Sequence, residues 1–430
     1  MGLSENDRAI ASFTMLAHGI VHWFELAIPI LLVVWLEAFD VSVALVGVIV
    51  ALGYAPFGLG ALPAGVLVDR YGPRRLVLGC LAGMSVAFAT LAIAPSIYAV
   101  AISLLCWGIL ASIYHPAGLA LISTGVERRG TVFARHGIAG NVGIALGPFA
   151  TATLLLAFDW RLVVVILAIP GILATLYGLR LEFDPTAALD STNPEERAST
   201  ESRNESGGVS EFLTNSRTLF ASSFLLVFAI VTFVGLYYRG VLTYLPELLQ
   251  GLPALDGIEP PGGLEELSLG EYVYVGLLVA GMAGQYVAGK LTDRIAVSRG
   301  LVVVFLGLAI LAALFVPVSS MGLLAVVAYC LVLGFSLFAI EPFYQEAVAV
   351  YTPPDTRGLS YGYTYLGMFG LGALSISLGG FLLDHVSVAV LFATLALFAL
   401  VGAAISVGLV VRPRPPGSDS STHSSSGADD

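Results

Sequence analysis

Charged residues are scarce in this chain. Asp, Glu, Lys and Arg make up 11% of its 430 residues, and Lys290 is the single lysine among 19 basic residues. Soluble proteins carry roughly 25% charged residues, so this sequence cannot cover a globular surface that faces water. Hydrophobic residues reach 57%, and the 48 glycines suit closely packed membrane helices. The composition predicts an all-α polytopic protein of the lipid bilayer.

Cysteine is scarce as well, and the motifs of common enzyme classes are missing. Cys80, Cys106 and Cys330 fall in apolar runs without metal-like spacing, which favours simple packing over disulfides. The sequence has no Walker-type phosphate loop and no recognisable nucleophile–base arrangement. A net charge of −11 argues against nucleic acid as a partner. We expect no enzyme activity, no cofactor and no bound metal.

Twelve apolar runs are long enough to cross a bilayer, which takes roughly 20 residues per helix. The first run is too long for the hydrophobic part of a signal peptide, so we interpret it as an uncleaved span. The runs cover residues 9–36, 43–68, 74–94, 97–124, 131–157, 161–181, 218–247, 270–292, 299–317, 320–350, 357–383 and 387–411.

The basic residues predict the orientation of these spans. If the N-terminus is cytoplasmic, every basic residue except Arg161 and Arg239 falls at or near the inner face. The acidic stretch 247–271 contains no Lys or Arg and falls outside. This is the positive-inside pattern. It predicts a plasma-membrane protein with both termini in the cytoplasm.

Two polar stretches divide the chain. Residues 182–217 and 412–430 are rich in Ser and acidic residues, and neither can bury enough apolar area to fold alone. We predict a flexible cytoplasmic linker and a disordered cytoplasmic tail. The remainder forms two six-helix bundles, at residues 1–181 and 218–411.

The two bundles repeat a loop motif. GVLVDRYGPRR follows the second span and GKLTDRIAVSR follows the eighth, so that Gly65 matches Gly289, Asp69 matches Asp293 and Arg70 matches Arg294. Twelve spans in two similar halves with this motif resemble the major facilitator superfamily of secondary transporters. The resemblance implies alternating access, a monomer, and a small-molecule site near the midplane between spans 1, 4, 7 and 10.

A narrower resemblance concerns the direction of transport. SIYHPAGLALIS and ARHGIAGNVGIALGPF are similar to the fourth and fifth helices of fosmidomycin-resistance-type exporters. The similarity favours export over import.

The superfamily resemblance implies that the loop motif latches the two halves on the cytoplasmic side. We expect Gly65 to allow close helix approach and Asp69 to cap a neighbouring helix N-terminus. The resemblance also places the glycine-rich spans 2, 5, 8 and 11 at the seam between the halves. The predicted latch residues are Gly65, Asp69, Arg70, Gly72, Arg74, Asp293 and Arg294.

The stretch HGIVHWFELAIP carries ionisable groups into the first span. His18, His22 and Glu25 are spaced by four and three residues and so share one helix face. An ionised carboxylate at the bilayer centre costs roughly 2.5–3.5 kcal/mol, so this face must point into the protein. The resemblance brings it together with the ionisable residues of spans 4, 7 and 10, which are His115, Arg239 and Glu341.

Roles follow from the chemistry of these groups. Arg239 is predicted to bind an anionic part of the solute, and the alternative is an Arg239–glutamate ion pair without a ligand. Glu25, Glu341 and His18 are predicted to carry protons, although a histidine in a helix is more often a hydrogen-bonded core residue. The other predicted substrate-binding residues are His22, Trp23, Trp107, His115, Tyr238, Tyr344 and Gln345.

The sequence therefore predicts a secondary active transporter for a small organic or anionic solute, coupled to protons, with export favoured. The first alternative is a facilitative carrier without ion coupling. The second is a membrane sensor that transports nothing. The identity of the solute, the coupling ion and its stoichiometry stay open at this point.

Overall fold

The computed structural model describes residues 2–188, 209–255, 269–353 and 356–411, and these residues form helices without β-strands. Serine side chains cap several helix N-termini; Ser42, for example, accepts from the backbone N–H of Leu45. The helices are α1 (Glu5–Phe39), α2 (Val43–Leu59), α3 (Ala61–Tyr71), α4 (Pro73–Ala89), α5 (Ile97–Ala111), α6 (Tyr114–Gly125), α7 (Arg129–Leu155), α8 (Trp160–Arg180), α9 (Val209–Ala221), α10 (Phe224–Gln250), α11 (Leu269–Leu291), α12 (Val297–Ser319), α13 (Leu323–Tyr351), α14 (Arg357–Tyr365), α15 (Leu374–His385) and α16 (Val388–Val410).

Within the described ranges, eleven helices are long and apolar enough to cross a membrane, or twelve if one bent pair forms a single span. The bent pair is α2 and α3, which meet at Gly60 with an angle of 42°. Span 4 is α5 followed by α6, where Pro116 lies in the first turn of α6. Span 11 is α14 and α15 joined by a π-helical segment, Leu366–Leu371. The twelve predicted spans are thus present, three of them interrupted.

Close glycine contacts hold each bundle together internally. A Cβ atom at Gly143 of α7 would collide with the backbone carbonyl of Gly19 in α1, and one at Gly284 of α11 would collide with that of Phe335 in α13. Both contacts lie inside one bundle. The expectation that glycines of spans 2, 5, 8 and 11 lie at the seam between the bundles was therefore wrong for Gly143 and Gly284, because they let α1 and α13 approach within their own halves.

Glycines of spans 2 and 11 do lie at the contact between the bundles, as expected. A Cβ at Gly58 in α2 would strike the backbone nitrogen of Gly370 in the π-helical segment. Nearer the N-terminus of α2, a Cβ at Gly47 would meet the hydroxyl of Tyr244 and lie 3.4 Å from Cα of Gly380. Backbone is thus in direct contact with backbone where the halves cross.

The N-terminus and the start of the linker lie at one end of the bundle, which we call the terminal end; the opposite end is the far end. Asn6 donates to the carbonyls of Gly125 (2.9 Å) and Asp184 (3.1 Å). Thr124 donates to the carbonyl of Pro185 (2.7 Å). These bonds hold the beginning of the predicted flexible linker against α6.

The linker prediction also needs revision at its other boundary. Helix α9 begins at Val209, nine positions before the predicted start of the second bundle at 218. The hydroxyl of Tyr363 in α14 donates to that of Ser216 in α9 (2.9 Å). Residues 189–208 of the linker and the tail 412–430 lie outside the described residues, so their predicted flexibility stays a prediction.

Candidate functional site

A buried ion pair joins the two bundles at the centre of the molecule. Arg239 of α10 donates through a terminal guanidinium nitrogen to Oε1 of Glu25 in α1. The two side chains are 2% and 1% exposed, so water does not screen their attraction. Proline follows each of them in its own helix, at Pro29 and Pro246. The structure thus contains the Arg239–glutamate pair that the sequence left as an alternative.

Aromatic rings enclose the guanidinium of Arg239. Its Cζ lies 4.2 Å from the ring centre of Tyr54 in α2, 4.8 Å from that of Phe369 and 5.6 Å from that of Tyr238. Such rings stabilise a cation through their π faces. The Nε–H of Arg239 has no acceptor among the described residues. One charged hydrogen-bond donor of the site is therefore unpaired among the described residues.

A chain of hydrogen bonds continues from Glu25 along α1. Nδ1 of His22 donates to Oε2 of Glu25. Nε2 of His22 lies 3.1 Å from Nε2 of His18. Nδ1 of His18 in turn donates to the backbone carbonyl of His136 in α7 (2.8 Å). The face predicted from the four- and three-residue spacing is therefore real, and it runs from the ion pair toward the terminal end.

Two further histidines pack on this chain. The ring of His136 stacks on that of His18, with centroids 3.9 Å apart and planes at 6°. Its Nε2 donates to the hydroxyl of Tyr114 (2.9 Å), which itself donates to the carbonyl of Thr14. The ring of His115 lies 5.3 Å from that of His18 and 5.6 Å from that of His22. Four of the six histidines in the chain thus form one cluster.

Glycine makes room for the cluster. A Cβ atom at Gly140 in α7 would collide with the imidazole of His18. The second bundle closes it from the other side, where the ring of Tyr365 lies 4.6 Å from that of His115. The cluster is consequently enclosed by both halves.

Glu341 of α13 lies in a separate environment. Its Oε2 accepts from the side-chain amide of Gln285 in α11 (2.8 Å), and Oε1 of Gln285 has no partner among the described residues. Tyr344 is 8% exposed, whereas Gln345 is exposed. The structure does not bring Glu341 into hydrogen-bond contact with Glu25 or Arg239.

Both tryptophans of the predicted site lie away from the ion pair. The indole of Trp23 donates to the carbonyl of Leu167 in α8 (3.0 Å), and so points to the other side of α1. Trp107 is fully buried behind Tyr54, with ring centroids 5.8 Å apart. These positions do not support the predicted contact of the two tryptophans with solute, which stays untested.

Four aromatic residues around the site were missed in the sequence. Tyr54 and Phe369 enclose Arg239, while Tyr365 and Phe57 pack on His115. The hydroxyl groups of Tyr54 and Tyr365 inside apolar spans were an available signal, because a buried hydroxyl needs a partner. Nothing in the sequence distinguishes the two phenylalanines from the other 21.

The predicted latch residues lie near the terminal end without a described contact between the halves. Arg74 donates to the carbonyl of Leu181 in its own half and covers the ring of Phe183 at 4.8 Å. Gly72 has φ +81°, which suits glycine at the turn between α3 and α4. The other residues with described side chains, Arg70, Asp293 and Arg294, are exposed.

The structure contradicts the latch prediction for Gly65 and leaves the one for Asp69 untested. A Cβ atom at Gly65 would have no heavy atom within 4 Å, so the expected close helix approach does not occur there. Gly58, one helix earlier along the same span, makes that approach instead. The side chain of Asp69 lies outside the described residues, and its capping role stays a prediction.

Comparison with known proteins identifies the family. The model of the Major Facilitator Superfamily matches residues 12–376. An uncharacterised MFS-type transporter of Mycobacterium tuberculosis is 30% identical over 325 residues, covering 72% of this chain and 70% of that protein. The chain therefore belongs to the major facilitator superfamily of membrane transporters, as the repeated loop motif indicated.

Solved structures of other transporters share the fold. The nucleoside transporter NupG matches with a TM-score of 0.71 and 13% identity, over 93% of this chain and 99% of that one. A D-xylose–proton symporter matches with a TM-score of 0.71 and 15% identity, over 94% and 97% of the two chains. At these identities the similarity establishes the architecture, two bundles of six spans.

Proposed function

We propose that this protein is a secondary active transporter that moves a small organic or anionic solute by alternating access, coupled to protons. The observation that carries the proposal is the Glu25–Arg239 ion pair, because it joins the two halves at the buried centre. The similarity of spans 4 and 5 to fosmidomycin-resistance-type exporters favours export. We place the protein in the plasma membrane as a monomer, with both termini in the cytoplasm.

Arg239 is the group that would recognise an anionic solute. Its Nε–H is free among the described residues, and a guanidinium can bind a carboxylate or phosphate with two parallel hydrogen bonds. A solute anion that binds Arg239 competes with Glu25. Release of Glu25 removes a direct bond between the halves and so changes the balance between outward-open and inward-open states.

Glu341 is the proposed proton carrier. Its carboxyl group sits within span 10, and its described hydrogen bond comes from the neutral amide of Gln285 rather than from a cation. Proton binding removes a charge that the membrane interior disfavours. The predicted proton roles of Glu25 and His18 stay predictions. A structural neighbour described as a D-xylose–proton symporter is consistent with proton coupling on this fold.

The test uses purified protein in liposomes that contain a fluorescent pH indicator. Nucleosides, D-xylose, citrate and sugar phosphates are added in turn, and internal pH is followed together with uptake of the radiolabelled compound. We expect a transported compound to move protons in the wild type. Glu341→Gln should abolish the pH change and keep solute exchange, while the exposed Glu346→Gln behaves as wild type. Solute transport by the wild type without any pH change would favour the uncoupled carrier.

A further inference from the structure

The histidine cluster contains an arrangement that hydrogen bonding between neutral rings cannot satisfy. Nδ1 of His18 faces a backbone carbonyl and Nδ1 of His22 faces a carboxylate, and both of these groups accept only. Each Nδ1 therefore carries the hydrogen of its neutral ring. The two Nε2 atoms, 3.1 Å apart, then direct lone pairs at each other. A proton or a metal ion between the two nitrogens would remove this repulsion.

A third imidazole is within reach of the same point. Ligand atoms of His18, His22 and His115 all lie within 4.8 Å of one another. Among the described residues His115 makes ring contacts but no hydrogen bond, so its ring nitrogens are available. Three neutral imidazoles whose nitrogens lie this close together are a typical ligand set for Zn²⁺, Ni²⁺ and Co²⁺.

We propose that His18, His22 and His115 bind a divalent transition-metal ion through their ring nitrogens. Two nitrogens that each bind zinc at about 2.0–2.1 Å in a tetrahedral site lie about 3.3 Å apart. The observed separation of the His18 and His22 Nε2 atoms, 3.1 Å, is close to that value. Three protein ligands leave a fourth position open for water or for an anionic group of a bound molecule.

The outer contacts of the cluster fit a metal site. Metal-binding histidines commonly donate their second ring N–H to a carboxylate or a backbone carbonyl, which fixes the ring and its tautomer. His22 donates in this way to Glu25, and His18 donates to the carbonyl of His136. Arg239 does not oppose the ion, because Glu25 lies between Arg239 and His22 and neutralises the guanidinium.

The experiment measures metal binding directly. Purified full-length protein, with any affinity tag removed and metal stripped by a chelator, is titrated with Co²⁺ in lipid nanodiscs. We expect one Co²⁺ per chain, with the strong visible absorption of a four-coordinate ion, displaced by Zn²⁺. His18→Gln, His22→Gln and His115→Gln should each weaken binding at least about 10-fold.

Two histidines outside the cluster supply matched controls. His385 is exposed at the end of α15, and His423 belongs to the tail outside the described residues. His385→Gln and His423→Gln should bind Co²⁺ as the wild type does. Absence of stoichiometric binding by the wild type, or loss of binding only in these controls, would overturn the proposal.

A second measurement guards against variants that fail to fold. X-ray absorption of the Zn²⁺-loaded wild type counts the imidazole ligands without any substitution, and we expect three. A spectrum with no histidine ligands would refute the site even if all variants lost binding. Because both measurements are made at equilibrium without transport, their outcome is independent of whether the protein moves an anionic solute.

Discussion

At the residue scale, the Glu25–Arg239 pair dominates the energetics of the centre. Both side chains are almost fully buried, so removing one partner leaves the other charge in a low-dielectric interior. Such a loss typically costs about 3–5 kcal/mol, while replacing both charges costs much less. We therefore expect the effects of substituting Glu25 and Arg239 on the free energy of unfolding to be strongly non-additive.

We expect Glu25→Gln and Arg239→Gln each to lower the free energy of unfolding by about 3–5 kcal/mol. The double variant should recover a large part of that loss, because neither charge is then buried alone. Chemical unfolding in mixed micelles measures all four proteins of the cycle. Additive losses in the double variant would show that the pair is not coupled.

The spacing of His18, His22 and Glu25 predicted their shared face correctly, because helical periodicity alone decides which side chains align. Their partners could not be predicted in the same way. The bond from His18 to the carbonyl of His136 and the cover of Arg239 by Tyr54 depend on how separate helices cross. A single sequence contains no direct record of those crossings.

At the scale of elements, the crossing of spans 2 and 11 brings the backbones of the two halves into direct contact. A methyl group at Gly58 would strike the backbone of Gly370, which cannot move as a flexible side chain could. The glycines of spans 2, 5, 8 and 11 predicted such contacts, but the sequence did not indicate which pairs of spans would make them. Local composition marks a helix as able to pack closely without showing which neighbour it meets.

We expect Gly58→Ala to destabilise the protein by about 1–3 kcal/mol, as overpacking does, and to impair transport. Gly79→Ala in α4 is the matched control, since a Cβ there meets no heavy atom within 4 Å. Thermal unfolding of both variants, with uptake in liposomes, tests the contact. Equal stability of the two variants would exclude a tight crossing at Gly58.

At the scale of the whole molecule, the far end is closed where α2 meets α15. A Cβ atom at Gly380 would lie 2.7 Å from the carbonyl oxygen of Val43 and 3.2 Å from Cα of Ala44. The architecture itself followed from the twelve apolar runs and the repeated motif. Which end of the molecule is closed could not be predicted, because all conformations of a transporter share one sequence.

We expect Gly380→Leu to open the far end, because its side chain would begin 2.7 Å from the backbone carbonyl oxygen of Val43. The variant should shift the protein toward a state that is open at this end. The rate at which a membrane-impermeant maleimide labels Ala44→Cys, in a background with the exposed Cys106 replaced by Ser, measures the opening. Labelling should be faster than in the matched control Gly79→Leu, and equal rates would contradict closure of the far end by this contact.

The π-helical segment Leu366–Leu371 adds one residue to the winding of span 11. On one side of it the ring of Tyr365 rests on His115, and on the other side the carbonyl of Ile376 accepts from Tyr244. Regular α-winding would turn one side relative to the other by about 100°. The two contacts are therefore compatible only while the extra residue is kept, and conversion of the segment to regular α-helix would break one of them.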